Sequence, residues 1–336
     1  MPAVDATPSR PRWLLHAIVL TIMLAIAAAA VLAADIYVHH RLSKYAAVNV
    51  WGYRGEVLGR KQPGEKRIFM IGPSTVFGVG FPPEDALPAQ LERQLQQRVP
   101  HPVRVVNLGM PGEDAYAYRA TIEDYRYLKP DAVIFYGDSN ITGESAPIVL
   151  RHQSPIFRWT GYSPILHIAL RERFLMWRHD GKIQEAYDDK VVFRPGDKEA
   201  GGLKAAADVA DFMKSTEAAS ASPAAPPSCE KEFKNYCTSM NNAVTYARSL
   251  GLPALVVNQP YETPFQVHIQ NALRQMLRDR HGNDAGVRYL DMGYGIDLKD
   301  STLTYDGVHL TPAGNAKMAS QLLEPALELL AAAGRD

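Results

Sequence analysis

The chain has 336 residues, 46% of them apolar, which is enough to bury a sizeable core in one large or two ordinary domains and excludes a disordered protein. Its 36 Lys and Arg residues balance 36 Asp and Glu residues, with no basic arm, so neither net charge nor charge pattern points to nucleic acid. The only two cysteines, Cys229 and Cys237, are too few for a cysteine-rich metal site or a disulfide scaffold.

The first element is apolar. Trp13 to Val38 reads WLLHAIVLTIMLAIAAAAVLAADIYV, in which His16 is the only ionisable side chain before Asp35. A hydrocarbon core of about 30 Å takes roughly 20 apolar residues as a helix, so the run is long enough to span. A buried core helix would keep a polar face, and this segment has almost none. Arg10 and Arg12 precede it and Arg41 and Lys44 follow, a modest bias that places residues 1–12 in the cytoplasm and the bulk of the chain outside it. A cleaved signal peptide is the other reading, because Val31-Leu32-Ala33 sits among small residues; the length of the run favours an uncleaved, single-pass anchor over residues 13–38. A juxtamembrane segment, 39–66, would then lead to an extracytoplasmic, periplasmic domain over 67–336.

Within that domain, short apolar runs alternate with helical patterns. Arg67–Ile71, Val103–Asn107, Ala132–Tyr136, Ala254–Asn258 and Val287–Asp291 read as strands, mostly continuous in apolar character, as strands covered on both faces are. Helical spacing marks Leu87–Arg98, Asp114–Leu128, Phe233–Leu250, Phe265–Arg280 and Pro312–Ala332. The repeat predicts a parallel five-stranded α/β sheet. More than a hundred residues separate the third and fourth strands, far beyond what a crossover needs, so about 145–229 is an insertion. Its SPILHIALRERFLMWRHD stretch, from Ser163, has helical spacing and gathers arginines near Trp159 and Trp177, fitting a helix packed over the sheet, with a lid, a substrate groove or a membrane-interfacial helix as alternatives. STEAASASPAAPPS, from Ser215, is low-complexity loop. If both cysteines lay on the helix that follows, eight residues at about 1.5 Å each would hold them roughly 12 Å apart, so a disulfide requires Cys229 to precede the helix and fold back.

Ligands of open parallel sheets bind beyond the carboxyl ends of the strands. The first strand runs into IGPSTVFGVG and delivers Ser74, the second into NLGMPGEDAY with Gly109 and Gly112, and the third into YGDSNIT with Asp138, Ser139 and Asn140. Near the end of the chain, TYDGVHLTPAG sets Asp306 three residues before His309, ahead of the last helix. Serine after Gly-Pro is ordinary turn chemistry, Asp-Gly is a common turn, and each piece alone is weak. Together they supply a nucleophile, a base and a group that orients the base, while the N–H groups of Ser74 and Gly112 and the Asn140 side chain supply donors for an oxyanion.

GPSTVFGVG, NLGMPGEDAY, YGDSN and DGVHLTPAG, in this order, resemble the blocks of the SGNH or GDSL hydrolase family, over most of 67–330 apart from the insertion. The resemblance implies a flavodoxin-like three-layer α/β/α fold, Ser74 as nucleophile, Gly112 and Asn140 as oxyanion donors, and Asp306 and His309 as acid and base. It implies no metal and no organic cofactor. Two departures stand out: Pro73 occupies the place where the family usually has aspartate, and Gly137-Asp138-Ser139-Asn140 carries one residue more than the family's third block. The expected activity is hydrolysis of acyl esters, acetyl foremost, on a cell-envelope glycan. The alternatives are a lipid ester as substrate, an acyltransferase acting on envelope polysaccharide and a non-catalytic glycan-binding protein that keeps the fold.

Overall fold

The computed structural model describes residues 12–43, 48–111, 113–137, 154–178, 229, 234–261 and 264–333, without the side chains of 172, 176, 264 and 265. Most of the predicted insertion therefore lies outside the described residues.

Five strands, β1 (Lys66–Ile71), β2 (Val103–Asn107), β3 (Ala132–Gly137), β4 (Ala254–Asn258) and β5 (Val287–Leu290), form one parallel sheet in the order β2-β1-β3-β4-β5. This is the flavodoxin-like order, whose switch point falls between β1 and β3. Alternation along the strands divides the apolar side chains between two layers. Ile68, Met70 and Ile134 point to one face, where α3 (Leu87–Gln96) and the last helix, α9 (Pro312–Ala332), bury Leu91, Leu95, Met318 and Leu322. Phe69, Ile71, Val133 and Phe135 point to the other, against α4 (Ala115–Tyr125), α7 (Lys234–Ser249) and α8 (Pro264–His281), through Tyr118, Ile122, Met240, Val244 and Leu273. The result is the expected α/β/α sandwich. Three groups on the outer edge of β2 are taken: Gln96 accepts from Val103 N at 3.0 Å, Glu92 from Val105 N at 2.7 Å, and the Asn107 carbonyl from Arg54 N at 3.1 Å, which blunts that edge toward another strand.

The N-terminal run forms α1 (Arg12–Leu42), one unbroken helix long and apolar enough to cross a membrane. Its side chains from Leu15 to Ala34 are exposed all round, and then the character changes within one turn. Asp35 and His39 are buried, and Val38 packs on a small cluster of Val48, Phe77, Met110 and Ile165. Asp35 Oδ1 accepts from the N–H groups of Ile165 and Leu166, its Oδ2 accepts from the Tyr162 hydroxyl, and the His39 ring nitrogens lie 3.1 Å from Val48 O and 2.8 Å from Ser163 O. Those amides open α6 (Leu166–Arg178), so a carboxylate from α1 caps the start of another helix, where free N–H groups and the helix dipole favour negative charge. A short helix, α5 (Pro155–Thr160), precedes the corner and is pinned to the body by buried Phe157 against Tyr125.

Cys229 and Cys237 are bridged, with Cα atoms 5.8 Å apart. The geometric condition is met because α7 begins at Lys234, leaving Cys229 ahead of the helix and free to fold back on its first turn.

Candidate active site

The site is built where β1 ends, at the switch point of the sheet. Gly72 and Pro73 turn the chain out of β1 into α2 (Ser74–Phe77), a single helical turn whose first residue is Ser74. No larger residue fits at Gly72: a Cβ there would stand 2.5 Å from Val76 Cγ2 and 2.9 Å from Tyr136 Cβ. The loop leaving β2 is pressed equally close, since a Cβ on Gly109 would meet Phe77 N at 2.5 Å. Buried Asn107 laces the two loops together, donating from Nδ2 to Val76 O at 2.9 Å and accepting at Oδ1 from Gly109 N at 3.0 Å. Met110 N donates to Gly72 O at 2.9 Å, so the backbone beneath Ser74 is held from the side as well.

Asp306 and His309 arrive from the opposite end of the sequence on a tight turn that closes between Thr304 and Leu310, which form an isolated antiparallel bridge. Asp306 Oδ1 accepts from Val308 N at 3.0 Å and His309 N at 2.7 Å, an Asx-type turn that locks the carboxylate in place. Its Oδ2 lies 2.6 Å from His309 Nδ1, and His309 Nε2 lies 2.9 Å from Ser74 Oγ. A carboxylate only accepts, so Nδ1 carries the ring proton and Nε2 presents its lone pair to the serine hydroxyl. Asp306 is 2% exposed and His309 9%, which keeps this chain of hydrogen bonds largely dry at its acidic end. Such an arrangement is able to take a proton from Ser74 as Oγ attacks an electrophile and to stabilise the imidazolium that results.

Tyr305 is a further member that sequence reasoning did not single out. Its ring stacks on the His309 imidazole, with centroids 5.8 Å apart and planes 19° from parallel, and its hydroxyl donates to Val79 O at 2.9 Å. It thus ties the turn carrying the imidazole to the segment just beyond Ser74. Burial, with a smaller contribution from the charge of Asp306, raises its phenol far above the ordinary value, so the hydroxyl stays a donor at any ordinary pH. The signal was present as the residue immediately before Asp306, but an aromatic beside a turn is more often plain packing.

Of the five residues expected at the site, Ser74, Asp306 and His309 are brought together; Gly112 and Asn140 lie outside the described residues. Among the described residues no group of three or more His, Cys, Asp or Glu side chains is placed to hold a metal ion. A cleft of about 730 Å³ runs beside β2, lined in part by Arg54, Glu92, Arg93 and Arg104, and neither Ser74 nor His309 belongs to it.

No family model and no curated protein matches this chain. Solved structures do. The chain is similar to a family two carbohydrate esterase from Clostridium thermocellum, 12% identical with a TM-score of 0.45, covering 83% of this chain and 68% of that one. A variant of Axe2, an acetyl xylan esterase from Geobacillus stearothermophilus, is 14% identical with a TM-score of 0.42 over 77% of this chain and 93% of that one. The psychrotrophic esterase EstA from Pseudoalteromonas is 10% identical with a TM-score of 0.43, covering 79% and 98%.

Proposed function

We propose that this chain is a membrane-anchored serine ester hydrolase of the SGNH or GDSL kind, with Ser74 as nucleophile, His309 as general base and then general acid, and Asp306 as the group that fixes the imidazole tautomer. The observation that carries the reading is the continuous hydrogen-bonded chain, 2.9 Å from Ser74 Oγ to His309 Nε2 and 2.6 Å from His309 Nδ1 to Asp306. Residues more than two hundred positions apart in sequence meet in the order and at the spacing that proton transfer needs.

In the proposed cycle Ser74 Oγ attacks the ester carbonyl while its proton passes to His309 Nε2. The carbonyl oxygen becomes an oxyanion, facing the Ser74 N–H, with Gly112 N–H and the Asn140 amide as the other donors. The imidazolium, steadied by Asp306, returns the proton to the leaving alcohol as the tetrahedral species collapses to an acyl-enzyme. Water then enters, gives its proton to His309 and attacks the acyl group, and collapse releases the acid and restores Ser74. All of the bond making and breaking is proton transfer and acyl substitution, so these side chains suffice.

The substrate class we assign is an acyl ester, acetyl foremost, on a cell-envelope glycan. α1 supports this, because a span followed directly by the folded domain confines the site to the neighbourhood of a membrane, and Arg10 and Arg12 favour an N-terminus in the cytoplasm and a periplasmic domain. The test is Ser74→Ala in the full chain, purified in detergent and assayed on an aryl acetate. The expected fall in kcat is on the order of 10⁴- to 10⁶-fold, and undiminished turnover would remove Ser74 from the chemistry.

A further inference from the structure

Helix α1 is not a tether. Its all-round exposure ends at Ala34, and one face of the next turn is already part of the folded domain, with Asp35 and His39 bonded to residues 162–166 and Val38 packed beside Phe77 of the serine-bearing turn, while Ile36 and Tyr37 stay exposed. The first turn of α6 is therefore fixed beside the last turns of the apolar run. Outside α1, the large apolar side chains exposed among the described residues are few, and five of those eight, Ile156, Trp159, Leu170, Phe174 and Trp177, fall in α5 and α6. Trp159 is 91% exposed and Trp177 77%, which is costly for a protein with only water beside it.

Their arrangement is ordered. Leu170, Phe174 and Trp177 follow helical i, i+4, i+7 spacing and so form one stripe, and the rings of Phe174 and Trp177 lie 6.0 Å apart. At 3.6 residues per turn, Arg173 borders the stripe on one side and Arg171 and Arg178 on the other, and all three are exposed. A ridge of leucine and aromatic side chains bordered by arginines has the chemistry of the boundary between acyl chains and phosphates.

We propose that α5 and α6 form a second membrane contact, lying on the bilayer surface at the domain end of α1 with the Leu170 stripe in the acyl boundary and its arginines on anionic lipid phosphates. The occupant is thus the bilayer itself, identified by continuity with α1 and by charge. The proposal rests on α1 spanning that bilayer, and it is independent of whether Ser74 turns over an ester.

The experiment uses the full chain in lipid nanodiscs containing phosphatidylglycerol, with lipids brominated high on the acyl chain as quenchers. The four tryptophans are Trp13, Trp51, Trp159 and Trp177. Four chains each keep one and carry phenylalanine at the other three. Trp177 and Trp159 are expected to lose a share of emission comparable to that lost by Trp13 in the span, while Trp51, half-buried beside Gly161 at the end of α5, loses less than either. Replacing Arg171, Arg173 and Arg178 with glutamine is expected to bring quenching of Trp177 down to its level in uncharged phosphatidylcholine discs. Quenching of Trp13 without Trp177 overturns the proposal and leaves the anchor standing. Failure to quench either removes both. A change in Trp177 emission that follows the number of chains per disc and ignores bromine would assign the stripe to a second copy and also overturn it. Emission is read without turnover, so the outcome is decisive even for a chain found inactive on esters.

Discussion

Asp306→Asn separates the proposed catalytic role of this carboxylate from its structural one. Asp306 makes three contacts: Oδ1 accepts two backbone N–H groups, at 3.0 and 2.7 Å, and Oδ2 accepts from His309 Nδ1 at 2.6 Å. The asparagine keeps the carbonyl oxygen on the two backbone donors, so the turn and the fold are expected to survive. Its amide then faces Nδ1 as a donor, which forces the ring proton to Nε2, the nitrogen that has to accept from Ser74. The fall in kcat for a wrong tautomer is about 10⁴-fold, equivalent to about 5.5 kcal/mol of lost transition-state stabilisation. Asp306→Ala, by contrast, also strands the buried His309 N–H and the half-buried Val308 N–H and is expected to cost a further 1–3 kcal/mol or so of stability. The assay pairs steady-state hydrolysis of an aryl acetate with thermal unfolding. An asparagine variant that unfolds like the parent yet keeps kcat within tenfold would refute the role assigned to Asp306.

Tyr305→Phe removes the bond to Val79 O and keeps the ring on His309, so it is expected to cost about 1 kcal/mol of stability with kcat reduced only a few-fold. Tyr305→Ala removes both and is expected to lower kcat more than tenfold with KM little changed; a pure stability loss with kcat intact would make Tyr305 a packing residue only. Asp284 is held below its ordinary value of 3.8, first by the hydrogen bond from Arg248 Nε, with burial opposing it and the Gly286 N–H and nearby positive charge helping. Its depressed folded-state value means that it contributes stability above that ordinary value, which is lost as pH falls through the lowered one. The Tm difference between the parent and Asp284→Asn is therefore expected to be steady near neutrality and to close below about pH 4; a difference that widens on acidification would contradict the assignment.

The strands were legible in the sequence because a doubly covered parallel strand is a continuous apolar run, and each of the five expected segments forms one, shifted by a residue at Lys66, Gly137 and Leu290. That Ser74, Asp306 and His309 meet was legible because each directly follows a strand end or precedes the last helix, where topology alone brings segments together. The helical pattern read from Ser163 begins at Leu166, because Pro164 keeps Ser163 extended and Asp35 supplies the cap that sequence neighbours do not. That cap, like the use of His39, was hidden, since a polar pair at the end of an apolar run looks like its water-facing boundary. The disulfide depended on where α7 starts, a boundary that hydrophobic spacing does not define. Tyr305 was missed because its part is played across space, from Val79 to His309.

The central claim is an activated serine, and covalent capture tests it most directly. After treatment with a fluorophosphonate, peptide mass spectrometry is expected to find one adduct, on Ser74, and His309→Gln is expected to slow its formation by orders of magnitude. An adduct at another residue, or labelling of Ser74 at an unchanged rate without the imidazole, would contradict the account.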